Sequence, residues 1–299
     1  MKNLLFVLIG ILPLTLFAQQ EPDMSFEFSI EDPAYQKEAG PLLCIDSAHN
    51  NFHTLEGGFA PFARVMKEDG YNLINVDYSL DVVEQLKACD VFIIVNPLHK
   101  SNVRNWVLPN PSAFSELEIA NLNKWVEEGG SLFLIADHMP FAGAAYDLGN
   151  SFGFRFRNGF ATLAKDVNQP DMFTLENGRL LESPISGRKI TTVTTFTGSA
   201  FTYPEKAIPV LVFKRGDYSL EPEVAWQFNE DTKTVALGNY TQGAIMEYGA
   251  GKIAVFGEAA MFTAQKIQTP QGEFKVGLNN TDLAPQNLSF LLNLMHWLD

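Results

Sequence analysis

Cysteine, histidine and positive charge are the scarce components of this chain. Lys and Arg total 21 against 35 Asp and Glu, a formal charge of −14, and so acidic a balance excludes the basic surface that a nucleic-acid partner needs. Long apolar runs are limited to one, "LLFVLIGILPLTLF" at residues 4–17, which follows the positive Met1-Lys2 and ends at the small residue Ala18. That order is the pattern of a secretory signal peptide over 1–18, and the run is too short for a comfortable membrane span. No cysteine stands directly after it at the cut point, so a lipid anchor is not indicated, and no second run suggests a stable span in the mature chain. The expectation is export, to a periplasmic or extracellular location.

Only Cys44 and Cys89 could form a disulfide. Cys44 sits late in the apolar run "LLCI", whereas Cys89 precedes the run "VFIIV". In parallel strands the two sulfurs would lie at different heights, beyond the ~7 Å Cα separation that a bridge tolerates, so both are expected as free, mostly buried thiols. The chain contains no G-x-S-x-G, internal repeat or low-complexity tract.

What is present is a regular alternation from Pro41 onward. "LLCID", "YNLINVD", "DVFIIVN" and "SLFLIAD" are short apolar runs of the kind found in strands covered on both faces. Between them, "APFARVMKEDG" carries Pro61 near a helix start and Gly70 at its stop, and Ser115 with Glu118 forms a capping box opening a helix through Glu128. The strand–helix repetition predicts a doubly wound, mainly parallel flavodoxin-like α/β sheet. Residues 19–40 read as an extended or poorly ordered lead-in and 41–299 as one domain. Within that domain, about 154–250 is a β-rich extension, with "VTTFTGSAF", "PVLVFKRG" and "EVAWQF" as short strands. "GAIMEYGAGKIAVFGE" reads as a hairpin returning to the main sheet, and Pro285 to Leu298 as a closing helix.

Ligands of open parallel sheets bind beyond the carboxyl ends of the strands. The residues following those ends are Asp46, Ser47, His49, Asn50 and His53, then Asn96 and His99, then Asp137 and His138, and finally Glu258. Four of the five histidines thus fall in three short loops. Asp46 can equally accept bonds from its own loop, Glu258 can cap a following turn, and His99 lies in an exposed-looking stretch. The fifth, His296, is expected on the solvated side of the last helix. The loop from Ser47 to Phe59 is long for a βα connection, and such loops are usually functional or disordered.

"WVEEGGSLFLIADH" resembles the helix, Gly-Gly, strand and turn of class I glutamine-amidotransferase-like proteins, with His138 in the position where the trehalose-utilisation-like branch places a His. "YGAGKIAVFGEAAMF" is similar to a late strand of the gliding-motility and intraflagellar-transport-like branches, with Glu258 as the acidic residue after it. "DSAHNNFHT" together with "LIADHMPFAGAA" resembles an uncharacterised exported bacterial group of that superfamily. True amidotransferases carry a nucleophilic Cys at the strand-to-helix corner; here the corner reads Ala136-Asp137-His138-Met139, so glutaminase chemistry is not expected.

Three readings stay open. Asp46, His49, Asp137, His138 and Glu258 can act as catalytic groups of a non-covalent hydrolase of a small polar or carbohydrate-type substrate, with or without a divalent cation. Ser47, Asn50, His53 and Asn96, with Phe52 and Phe141 nearby, can bind such a ligand without chemistry. An accessory domain of an envelope complex is the third.

Overall fold

The computed structural model describes residues 20–164, 169–269 and 272–299; the expected signal peptide lies outside the described residues. In chain order the strands are β1 Gln20–Pro22, β2 Leu42–Asp46, β3 Asn72–Val76, β4 Val91–Val95, β5 Ser131–Ile135, β6 Arg155–Thr162, β7 Asp171–Thr174, β8 Thr192–Thr195, β9 Gly198–Thr202, β10 Ile208–Val212, β11 Tyr218–Glu221, β12 Lys233–Ala236, β13 Thr241–Tyr248, β14 Gly251–Phe256, β15 Ala264–Thr269 and β16 Gly272–Gly277. The α-helices are α1 Ala60–Glu68, α2 Glu116–Glu127, α3 Phe141–Ala144, α4 Tyr146–Ser151 and α5 Asn287–Leu298.

An eleven-stranded sheet organises the molecule in the order β12-β11-β6-β9-β13-β14-β5-β4-β2-β3, with β10 paired to β13. The block β14-β5-β4-β2-β3 is parallel. Numbered along the chain, its strands stand in the order 2-1-3-4-5 of doubly wound sheets. The remaining strands are antiparallel, so the sheet is mixed rather than mainly parallel. The reason is chain economy: residues 154–250 do not form a separate unit but extend the edge beyond β14, and the β13–β14 hairpin joins the two halves.

Strand alternation divides the core between two faces. Leu43 and Ile45 pack with Phe62, Val65 and Met66 of α1 and with Leu291 and Met295 of α5. Cys44, Phe92 and Ile94 pack with Leu122, Trp125 and Val126 of α2. The Ser115–Glu118 capping box forms as expected, and Gly70 ends α1 at φ +93°. No helix among the described residues is long and apolar enough to cross a membrane.

Two expectations require correction. Residues 20–40 are built into the fold: β1 pairs with β15, and Asp69 accepts the Ala34 N–H at 2.8 Å. His296 lies on the exposed side of α5, as expected, where it also pairs with Asp69 at 2.6 Å. The cysteines are joined, with Cα atoms 5.8 Å apart. Cys89 ends the 3-10 helix Val83–Ala88, which lies on the α2 face of the sheet. The chain therefore enters β4 from that layer rather than in line with the strand, and Cys89 comes over Cys44.

The bridge closes a sequence separation of 45 residues. Replacing both cysteines by serine is expected to lower unfolding stability by about 2–4 kcal/mol, measured by urea denaturation. Native protein should show no titratable thiol.

Candidate functional site

The parallel registers bring the strand ends level. Val95 lies opposite Ile135 and Ile135 opposite Phe256, so Asn96, Asp137 and Glu258 emerge along one edge. The loop after β2 is stitched to that edge: Phe52 N–H donates to the Asn96 carbonyl at 2.9 Å, and Leu98 N–H to the His49 carbonyl at 2.9 Å. Asn50 and Asn96 adopt φ +48° and +49°, the left-handed turn that Asn tolerates best after Gly. Gly58 is needed for a different reason, since a Cβ there would come within 2.0 Å of His53 Nδ1.

The expected residues separate into three places. At the first, His49 Nδ1 lies 2.9 Å from both Asp46 carboxylate oxygens, and its Nε2 lies 3.1 Å from Glu118 Oε1. Asn51 donates to Asp46 at 3.0 Å. Burial opposes charge on His49, but Asp46 and Glu118 outweigh it and raise its pKa. Glu118 is held down to about 2: burial would raise it, but the Ser115 N–H, the charge of His49 and the Leu80 N–H prevail. Both ring nitrogens are thus committed to carboxylates, and this cluster ties the β2 loop to the start of α2. Glu118 was legible only as a cap; its second role needs β2 and α2 side by side. Ser47 is similarly engaged with the Val76 carbonyl, at 3.1 Å.

The second place is a carboxyl pair. Asn96 Nδ2 donates to Asp137 Oδ2 at 2.8 Å, its Oδ1 accepts the Asp137 N–H at 2.9 Å, and Asp137 Oδ1 is buried without a partner. Glu258 accepts from Ala260 and Met261 N–H at 2.9 and 2.8 Å. Burial pushes Asp137 up to about 7 despite the Asn96 amide and the Ala259 N–H. Burial, then the charge of Asp137, pushes Glu258 well above the carboxylate range despite the N–H groups of Met261, Ala260 and Phe196. The two are 8 % and 1 % exposed, so the pair is sealed. The Phe196 to Phe201 segment packs against it: a Cβ on Gly198 would stand 3.0 Å from that of Glu258.

The third place surrounds His138. Its Nδ1 donates to the Met139 carbonyl at 2.7 Å, which leaves Nε2 as an acceptor without a partner among the described residues. Burial pushes its pKa down to about 4 against that bond, so the ring is neutral at pH 7. It stacks on Phe160 with centroids 4.4 Å apart and meets Trp226 edge-on at 4.7 Å. Phe141 and Trp106 lie 5.7 and 6.2 Å away, and Phe52 touches both at 5.4 and 5.5 Å. Phe52, Trp226 and Phe228 are 47 %, 47 % and 44 % exposed. Trp226 sits at φ +65°, a costly backbone for a bulky side chain. "EVAWQF", expected as a strand, is consequently a loop whose Val224 makes a single bridge to Val107. Sequence reading missed Trp106, Phe160, Trp226 and Phe228; Trp106 lies well downstream of the β4 end, and the other three fall in stretches that follow no strand end of the parallel block, so their only signal was aromatic density.

His53 is buried beside Phe52 and Phe59, its Nδ1 has no partner, and its Nε2 lies 3.5 Å from Gln265 Nε2. Burial lowers its pKa to about 4. His99 accepts from Ser101 N–H and caps a short 3-10 turn. Among the described residues no group of three or more His, Cys, Asp and Glu is arranged to hold a metal ion.

No family model and no curated protein matches the chain. Among solved structures, the mmIFT52 N-terminal domain aligns with a TM-score of 0.59 at 14 % identity, over 86 % of this chain and 96 % of that one. Cytoplasmic protein STM1381 from Salmonella typhimurium LT2 aligns at 0.52 and 13 % identity, over 86 % and 99 %. A ThuA-like protein from Bacteroides uniformis aligns at 0.46 and 12 % identity, over 91 % and 94 %. ThuA-like proteins thus stand among the structural neighbours. At these identities the first two likenesses are of fold alone, and the third carries no argument.

Two outcomes follow from the geometry. His49→Leu leaves Asp46 and Glu118 buried without their shared partner and is expected to cost about 3–5 kcal/mol in chemical unfolding. Asp137 holds its proton more tightly folded than unfolded, so it contributes stability at acid pH that is lost as pH rises from about 4 through about 7. Asp137→Asn should flatten that part of the stability–pH curve, as read from melting temperatures between pH 5 and 8.

Proposed function

We propose that this protein is an exported member of the class I glutamine-amidotransferase-like superfamily that binds a carbohydrate-type ligand on the aromatic surface around His138. The observation that carries the binding reading is the contrast between two neighbouring places. The carboxyl pair Asp137–Glu258 is buried with no exposed group around it among the described residues, whereas Phe52, Trp226 and Phe228 present exposed rings around the buried, neutral His138, whose Nε2 is a free acceptor. A sugar ring offers an apolar C–H face to an aromatic ring and hydroxyl donors to an acceptor, and large aromatic surface supplies most of the affinity.

Superfamily membership is supported by the 2-1-3-4-5 order of the parallel strands, a flavodoxin-like core within the mixed sheet. Ala136-Asp137-His138-Met139 at the corner offers no thiolate, which supports a function other than glutamine hydrolysis. Export is supported by the Cys44–Cys89 bridge, since such bonds persist in oxidising compartments.

A second reading, a non-covalent hydrolase, is favoured by one observation: Asp137 carries an unpartnered buried oxygen and a pKa pushed up to about 7, the range of a general acid or base. Opening of the 196–201 segment would be needed to admit substrate.

Calorimetric titration with a panel of neutral sugars tests both. Binding without turnover, weakened about tenfold or more by Trp226→Ala, is expected. Absence of binding, or binding indifferent to Trp226→Ala, overturns the binding reading. Turnover abolished by Asp137→Asn establishes the hydrolase.

A further inference from the structure

We infer that the aromatic surface around His138 continues into a neighbouring polar cleft, so that the ligand is a neutral oligosaccharide held over more than one ring. This deepens the carbohydrate reading and rests on it. The cleft measures about 740 Å³ and is lined by Leu108, Asn110, Gly143, Tyr146, Asp147 and Asn158 among others.

Three of the chain segments that build the aromatic surface, those carrying Trp106, Phe141 and Phe160, also build the cleft. Asn110 Nδ2 donates to the Val107 carbonyl at 3.1 Å, immediately after Trp106. Gly143 N–H donates to Asn158 Oδ1 at 3.0 Å, from the short helix α3 whose first residue, Phe141, packs 5.1 Å from the Trp106 ring. Asn158 Nδ2 closes the circuit on Asn110 Oδ1 at 2.7 Å. Two residues further along β6, about 7 Å of strand, Phe160 stacks on His138. The polar floor is therefore fixed to the aromatic wall by hydrogen bonds and cannot drift from it.

The chemistry changes from one place to the next as a sugar chain requires. The first place offers ring faces. In the second, each amide nitrogen of Asn110 and Asn158 has made one bond in this circuit and retains a second N–H. The Tyr146 hydroxyl and the Asp147 carboxylate form no hydrogen bond with the described residues, and both are exposed at the rim. A carboxylate accepts from neighbouring hydroxyls. It also repels uronic or sulfated sugars, as does the chain's charge of −14. Arg157, the cation at this cleft, is occupied by Glu221 through two bonds of 2.6 and 2.7 Å. The ligand is neutral for these reasons.

The test uses the full mature chain and gluco-, manno- and galacto-oligosaccharides from monosaccharide to hexasaccharide, titrated by calorimetry. In the best-bound series, affinity is expected to rise about tenfold or more between the monosaccharide and the tetrasaccharide. Asp147→Ala, at an exposed position where folding is verified by circular dichroism, should reduce that gain to about threefold or less. Equal affinity for short and long members overturns the extended site while leaving the single-ring reading standing. A full gain in Asp147→Ala places the additional rings elsewhere and overturns the cleft assignment. Failure of every sugar, the monosaccharides included, overturns the carbohydrate reading itself.

Discussion

The parallel pairing of β5 with β14 is the contact on which the rest of the architecture depends. Every residue from Ser131 to Ile135 is in register with its partner between Lys252 and Phe256, although the whole antiparallel stretch from β6 to β13 lies between them in the chain. That pairing makes one sheet of two halves and gives both hydrophobic clusters a continuous floor. It also sets Gly257 against β9 so closely that a Cβ on Gly198 would stand 2.0 Å from the Gly257 carbonyl oxygen. Without this register Glu258 would not face Asp137, and the edge would carry isolated polar residues instead of an interacting pair.

Two buried polar clusters on that edge solve the cost of burying charge in opposite ways. Asp46, His49 and Glu118 balance one another, an imidazole between two carboxylates with hydrogen bonds on nearly every lone pair. Asp137 and Glu258 face no cation among the described residues, so burial, joined for Glu258 by the charge of Asp137, raises their affinity for a proton instead. The first arrangement anchors a loop; the second leaves an oxygen unsatisfied, a reservoir of cost retained close to the aromatic surface.

The backbone at Trp226 adds a further cost, since a bulky residue at φ +65° gives up local stability to hold its ring against His138 and Phe160. The β-rich stretch is thus more than an extension of the sheet. It carries one wall of the candidate ligand surface, while Phe52 and Trp106, from loops after β2 and β4, carry the other.

The alternation of short apolar runs with capped helices was sufficient to place the parallel strands and the Ser115–Glu118 box, because strand and helix periodicity and caps are local properties of the chain. The polar residues after each strand were legible for the same reason: strand ends can be located without knowing their neighbours. Whether those residues meet was not legible. His49 and His138 look alike in sequence, yet one is locked between Asp46 and Glu118 and the other keeps a free nitrogen among aromatic rings. The Cys44–Cys89 bridge was misjudged because strand register alone ignores the layer from which the chain enters β4. Sequence by itself determined the elements and the composition of the sheet edge. Only the tertiary structure decided which side chains face one another, because that depends on registers between strands far apart in the chain and on the depth to which each group is buried.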